Sequence, residues 1–169
     1  IERLSSSGYT EISTVFSGKQ CDEFVDKIES VQSEISSRYA KNEHRSHNLN
    51  DNQSEALVYN LHSRSPEFLD LIAHPSFYPI CRKTLNLGAY SDEPITLRQA
   101  TARAPLKGSG QQKLHIDSRH TGMAFPIMIV VLIALSDLTP ENGAARLVPK
   151  SHKLSRFPIH DDDHMCIDK

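Results

Sequence analysis

The fold and the chemistry of this chain are decided by the hexapeptide QKLHID at residues 112–117. Side chains i and i+2 of a β-strand point to the same face, so His115 and Asp117 project together there while Ile116 faces the other way. An imidazole nitrogen and a carboxylate oxygen on one face can chelate a divalent metal. A second His from another strand would complete the two-His, one-carboxylate set typical of non-haem Fe(II) sites. Without further context, an exposed strand pair is the commoner origin of this spacing.

The residues before this hexapeptide predict helices. Ser17-Gly18-Lys19-Gln20 fits a capping box, and the helix after it carries an apolar residue every three or four positions as far as Ile35. A short helix is predicted from Ser65-Pro66-Glu67 to Ile72, with Ser65 as N-cap, and another from Phe77 to Leu87, with Gly88 as its stop. The polar residues 41–54 predict a loop. The apolar face of the long helix comprises Cys21, Phe24, Val25, Ile28, Val31 and Ile35.

The second half of the chain predicts strands. Residues 95–103 alternate with period two, residues 127–135 (IMIVVLIAL) form an apolar run expected to be a buried strand, and Ala145 to Val148 fits a further short strand. Residues 139–143 (TPENG) predict a tight turn. Since helices precede strands without βαβ alternation, the sequence predicts an α+β fold with an antiparallel sandwich or barrel.

Composition narrows the class of protein without assigning a function. The chain has 169 residues, a formal net charge of -2 and three widely spaced cysteines. We therefore expect one domain, neither a nucleic-acid nor a membrane partner, and a reducing, cytoplasmic location. The apolar run at 127–135 is too short to cross a bilayer as a helix.

A longer pattern around the hexapeptide resembles the phytanoyl-CoA dioxygenase family of Fe(II)- and 2-oxoglutarate-dependent oxygenases. Residues 112–117 match its Q-x-x-H-x-D iron motif, and residues 134–152 (ALSDLTPENGAARLVPKSH) are similar to its segment ending in PGSH. Residues 66–75 (PEFLDLIAHP) resemble a helical stretch of the family. Gly8-Tyr9-Thr10 and the helix after Ser17 resemble its opening strand and helix.

The resemblance implies a double-stranded β-helix, a cupin-like jelly roll, with N-terminal helices packed against it. It implies one domain over residues 1–169, with a mainly helical part at 1–90 and the first part of the jelly roll at 91–169. Fe(II), 2-oxoglutarate and O2 would hydroxylate a small-molecule substrate with release of succinate and CO2. His115 and Asp117 would be metal ligands. Gln99, Arg103 and Gln112 resemble residues near the co-substrate or substrate, with Gln112 supporting rather than ligating.

Some features depart from the family pattern. Its second ligand His lies some tens of residues beyond the PGSH segment and is followed by an Arg that binds 2-oxoglutarate, so the resemblance implies that the C-terminal strands are missing. His152 is expected to be structural, and His160-Asp161-Asp162-Asp163-His164 to be a solvated loop. Lys150 replaces the usual Gly of PGSH, which affects the local turn. Leu132 stands near a position where relatives carry Trp.

Three functions stay open from the sequence. The first is an Fe(II)/2-oxoglutarate hydroxylase. The second is a non-catalytic jelly-roll binding module or inactive fragment without the second His and the 2-oxoglutarate Arg. A cupin-like metal isomerase is the third, and it is less favoured because no second His-rich strand is visible. For Gln99 and Arg103, a polar strand face open to solvent is the alternative to a pocket. The substrate and the oligomeric state are not predicted.

Overall fold

The computed structural model describes residues 1–38, 55–86, 94–106 and 111–169, which form an α+β arrangement of helices and two small sheets. Short 3-10 helices lie at Leu61–Ser63, Ser151–Lys153 and His160–Met165. The α-helices and strands in chain order are α1 (Glu2–Ser7), α2 (Gly18–Arg38), β1 (Glu55–Tyr59), α3 (Glu67–Ile72), α4 (Tyr78–Leu85), β2 (Thr101–Pro105), β3 (Arg146–Leu147) and β4 (Ile167–Asp168).

The start of α2 confirms the predicted capping box. The Gln20 amide donates to Ser17 Oγ at 3.3 Å, and the Ser17 amide donates to Gln20 Oε1 at 3.0 Å. Two amides that the helix itself cannot satisfy are thereby bonded. The predicted apolar face is confirmed as well, because Val31 is buried and Phe24, Ile28 and Ile35 pack beside it.

The core lies where α2 packs on the first sheet. Strands β1 and β2 pair antiparallel, with Tyr59 opposite Thr101. Val31, Val58, Leu61 and Phe68 form the buried cluster. On the sheet side, Ala100 and Ala102 pack against this cluster, which directs the alternate residues of β2 away from the core.

The helices match the sequence predictions with shifted ends. Helix α3 begins at Glu67 with Pro66 as its N-cap, one residue later than predicted, and Ser65 contributes its carbonyl to the Phe68 amide at 3.2 Å. Helix α4 begins and ends inside the predicted range. The resemblance placed a strand at Gly8-Tyr9-Thr10, and this is wrong: α1 ends at Gly8, whose φ of 86° is the left-handed conformation that ends helices.

Three strand predictions are wrong in extent, for one physical reason. Residues 95–100 precede β2 without belonging to a strand, residues 112–117 make only an isolated bridge at Gln112, and residues 127–135 form no strand. The last run is also not buried: Val130 is 52% and Leu132 70% exposed. A strand requires a continuous ladder of hydrogen bonds to a neighbour, and within the described residues these stretches have none, although the Leu61 amide donates to the Ala100 carbonyl at 3.0 Å.

The second sheet joins distant parts of the chain. Strands β3 and β4 pair antiparallel, and mutual amide–carbonyl bonds of 2.8 Å between Ala145 and Lys169 extend the pair. Lys169 Nζ also lies 3.1 Å from Glu11 Oε1. The predicted turn at 139–143 is confirmed, since the Gly143 amide donates to the Thr139 carbonyl at 3.1 Å. The ion pair between Lys169 and Glu11 therefore links this sheet to the N-terminal residues.

None of the helices in the described ranges is long and apolar enough to cross a membrane. The predicted loop at 41–54 and the predicted helix stop at Gly88 lie outside the described residues.

The carboxylate of Asp162 holds the segment 156–162 together by hydrogen bonds. Asp162, 3% exposed, accepts from Arg156 Nη1 at 2.7 Å and Nη2 at 2.8 Å, and from the Ile159 amide at 2.9 Å. These bonds, first of all those from Arg156, lower the pKa of Asp162 to about 2. The prediction of a solvated loop at 160–164 is wrong, since these residues lie in the 3-10 helix His160–Met165, which the buried Asp162 anchors while Asp161 stays exposed.

Lys150 adopts a backbone conformation that favours glycine, with φ 65°. A non-glycine residue in this conformation destabilises the fold by about 1–2 kcal/mol. Replacing it with glycine removes this strain but raises the entropy of the unfolded chain, which cancels roughly half of the gain. We expect Lys150→Gly to raise the free energy of unfolding by about 0.5–1 kcal/mol, measured by urea denaturation. Lys150→Ala removes the side chain but keeps the backbone strain, so it should change the free energy of unfolding little. Equal stability of wild type and both variants would contradict this account.

The Asp162 contacts predict a pH-dependent loss of stability. A carboxylate with a depressed pKa stabilises the fold above its unfolded pKa and loses that contribution as the pH falls through the folded value. Asp162→Asn should therefore lower the midpoint of urea denaturation at pH 6. The difference in midpoint between this variant and wild type should narrow steadily below pH 4. Asp161→Asn is the matched control and should behave as wild type. A difference that is independent of pH would show that the Asp162 charge is not responsible.

Candidate metal centre

His115 and Asp117 lie side by side, as the hexapeptide predicted. His115 Nε2 is 3.5 Å from Asp117 Oδ1, on an extended segment where Leu114 and Ile116 turn the other way and are half-buried. The alternation that defines a strand face is thus present without the strand ladder. Both side chains remain partly open to solvent, 32% exposed for His115 and 53% for Asp117. The pair can be reached by a ligand.

The histidine ring is held in an orientation suited to a metal ligand. Its Nδ1 lies 2.9 Å from the carbonyl oxygen of Lys113. A proton on Nδ1 donates to this carbonyl and leaves the Nε2 lone pair directed towards Asp117. Histidines that bind metals commonly use a main-chain carbonyl in this way.

Proton and metal would compete for this pair. The contact with Asp117 raises the pKa of His115, with the Lys113 carbonyl acting in the same direction, although partial burial opposes both. The same contact lowers the pKa of Asp117. The carboxylate therefore stays ionised and stabilises a positive charge on or beside the imidazole. A divalent cation between the two atoms would take the place of that charge, so this donor set fits Fe(II) as two of three ligands.

The third ligand is not supplied by the residues that the structure describes, where no group of three His, Cys, Asp or Glu side chains is arranged to hold a metal. His152, expected to be structural, directs Nε2 at the Ser5 carbonyl at 3.0 Å, and its ring fills the space beside Gly8. His160 is exposed, and its Nδ1 lies 4.0 Å from Asp161 Oδ1. His164 lies in the same 3-10 helix and is also exposed.

Gln112 and Arg103 meet, whereas Gln99 stays apart from them. With its amide oxygen facing the guanidinium, Gln112 accepts from Arg103 Nη1 at 3.1 Å and from Nη2 at 2.6 Å. This bond joins β2 to the segment three residues before His115. The positive charge of Arg103 opposes, without reversing, the rise in the pKa of His115 that the Asp117 contact causes. Gln99 donates instead to Thr101 Oγ1 at 2.6 Å.

Arg98 is a residue at this centre that sequence reasoning missed. Its Nη1 donates to the main-chain carbonyl of Asp117 at 3.2 Å and lies 3.0 Å from Met128 Sδ. Period-two alternation through residues 95–103 placed Arg98 on the face opposite Gln99 and Arg103. Residues 95–100 belong to no strand, so a strict strand parity does not apply to them. No sequence pattern pairs positions 98 and 117.

The Asn142-Gly143 pair of the 134–152 segment has a structural explanation. Asn142 Oδ1 accepts from the Thr139 amide at 2.7 Å, and its Nδ2 donates to the Asp137 carbonyl at 2.7 Å. Gly143 has φ 111°, and a Cβ there would lie 3.1 Å from Pro105 Cγ. The two residues therefore close the turn and let it approach the end of β2.

No curated protein and no solved structure matches the chain significantly. The family model described as phytanoyl-CoA dioxygenase matches residues 4–169. This family has a cupin-like jelly-roll fold, and its members are oxygenases that use Fe(II) and 2-oxoglutarate. Because the match covers nearly the whole sequence and includes the His115–Asp117 pair, the chain belongs to the phytanoyl-CoA dioxygenase family.

Proposed function

We propose that this protein is an Fe(II)- and 2-oxoglutarate-dependent dioxygenase that hydroxylates a small-molecule substrate and releases succinate and CO2. The observation that carries the proposal is the 3.5 Å approach of His115 Nε2 to Asp117 Oδ1, in a chain of this family. Iron bound there would activate O2 and couple the decarboxylation of 2-oxoglutarate to hydroxylation of the substrate. A two-His, one-carboxylate set leaves three coordination positions for the co-substrates.

The residues of the chain have distinct parts in this proposal. His115 Nε2 and Asp117 Oδ1 bind the metal, and the Lys113 carbonyl fixes the imidazole that faces it. The third ligand must come from residues other than those that the structure brings to the pair. Arg103 and Gln112 border the pair and would line the pocket for 2-oxoglutarate or substrate. Gln99, bonded to Thr101, would belong to the outer part of the same polar surface.

We propose further that residues 1–169 belong to one jelly-roll domain. The helices around α2 would pack on its first strands. The exposed apolar run at 127–135 supports this arrangement, since an extended apolar stretch gains both hydrogen bonds and burial when it pairs. Residues 112–117 would then become a paired strand with His115 and Asp117 on its inner face.

The expected setting is a cytoplasmic enzyme with a small-molecule substrate and neither a nucleic-acid nor a membrane partner. The near-neutral formal charge of -2 supports this. The three cysteines are free thiols, as in proteins of reducing compartments.

A second candidate function is a non-catalytic jelly-roll binding module. One observation favours it: within the described residues, His115 and Asp117 come together without a third ligand. Two protein side chains hold a metal less firmly than three. A small molecule could then bind in the pocket without being hydroxylated.

The dioxygenase proposal predicts metal-dependent succinate formation. The protein is loaded with Fe(II) under argon, and then 2-oxoglutarate, O2 and a panel of small acids, amines and acyl thioesters are added. We expect succinate that EDTA abolishes and that Fe(II), but not redox-inert Zn(II), restores. His115→Ala and Asp117→Ala should each lower the rate by more than about 100-fold, because even outer-shell partners of a metal account for 10- to 100-fold.

The matched control is His120→Ala, since His120 is an exposed histidine three residues after Asp117. It should keep the wild-type rate. Metal binding at His115 and Asp117 without any succinate would favour the binding module. If the wild-type protein takes up no metal at all, the proposed iron centre is wrong.

A further inference from the structure

Arg98 contacts the candidate metal centre from its main-chain side. Nη1 donates to the Asp117 carbonyl at 3.2 Å, and the same atom lies 3.0 Å from Met128 Sδ. We infer that Arg98 is a positioning residue that fixes the main chain at Asp117 against Met128, so that the Asp117 carboxylate stays opposite His115 Nε2. The inference rests on the proposed iron-dependent function and names a residue that supports it.

The two ligands need separate anchors because their segment has no ladder to hold it. Apart from the bridge at Gln112, residues 111–120 make no strand within the described ranges. His115 has an anchor two residues away in sequence, the Lys113 carbonyl. Asp117 is 53% exposed, and a small rotation of its main chain would turn the carboxylate away from the imidazole. The bond from Arg98 opposes that rotation.

The bond reaches the carbonyl and leaves the carboxylate available. An arginine that paired with the carboxylate would occupy the oxygens that a metal needs. Arg98 instead contacts the peptide group, so its bond occupies neither of the carboxylate oxygens.

An arginine and a lysine differ at this position. Both contacts come from one guanidinium nitrogen, Nη1, which the planar group holds in a fixed direction. A lysine keeps the positive charge and a nitrogen donor but lacks the planar group that sets this direction, so it can replace the interaction only in part.

The test compares Arg98→Met and Arg98→Lys with wild type by two measurements. The first is the Mn(II) dissociation constant by electron paramagnetic resonance, with 2-oxoglutarate present. The second, without metal, is the rate of tryptic cleavage after Lys113 and Arg119, which bracket the ligand pair. We expect Arg98→Met to weaken Mn(II) binding about tenfold and to speed these cleavages roughly fivefold. Arg98→Lys should recover part of both effects.

Arg64→Met is the matched control. Arg64 also donates to a main-chain carbonyl, that of Tyr59 at 3.4 Å, in a different part of the chain. It should leave Mn(II) binding and cleavage after Lys113 and Arg119 unchanged. Equal effects from Arg98→Met and Arg64→Met would mean a general loss of stability and would overturn the inference.

The remaining outcomes separate this inference from the proposed function. Faster cleavage in Arg98→Met with unchanged Mn(II) affinity would overturn the positioning role, since the segment would move without consequence for the metal. Unchanged cleavage and affinity would also overturn it. If the wild-type protein binds no Mn(II), the proposed function fails, and the cleavage rates alone then decide whether Arg98 holds the Asp117 segment.

Discussion

The arrangement of the candidate metal centre depends on the packing of α2 against the first sheet. Val31 on α2 and Val58 on β1 are buried together, and Ala100 and Ala102 place the incoming chain and β2 on the same core. With one face of β2 occupied in this way, Arg103 must lie on the other, where it bonds Gln112. Gln112 begins the ligand segment, so burial of a few apolar side chains determines where His115 and Asp117 lie.

Local features of this fold were predictable because local sequence determines them. The capping box at Ser17 and Gln20 needs residues three apart, and the apolar face ending in Ile35 needs only the helical period. The side-by-side placement of His115 and Asp117 follows from the two-residue period of any extended chain and does not require a completed sheet. The turn closed by Asn142 belongs to the same class, since its bonds lie within six residues.

The failed strand predictions concern pairing, which is not local. The run at 127–135 has the composition of a buried strand, and its residues are extended, but a strand also needs a partner whose identity no single stretch of sequence contains. The same limit explains why Arg98 was missed. Its link to Asp117 spans 19 positions and depends on how two segments outside the strands approach each other. The prediction of a strand through residues 95–100 placed Arg98 on the face opposite Gln99 and Arg103, away from this centre.

The two proposed metal ligands therefore differ in what holds them. The ring of His115 is oriented by a carbonyl two residues away, so any extended conformation of residues 113–115 can supply that anchor. Asp117 is oriented by Arg98, and Arg98 depends on the chain that enters β2 and hence on the α2 core. A change in the distant core should then disturb the carboxylate before it disturbs the imidazole. Since the carboxylate would offset the charge of a bound divalent cation, we expect metal affinity at this centre to be coupled to the packing of the N-terminal helix through the guanidinium groups of Arg98 and Arg103.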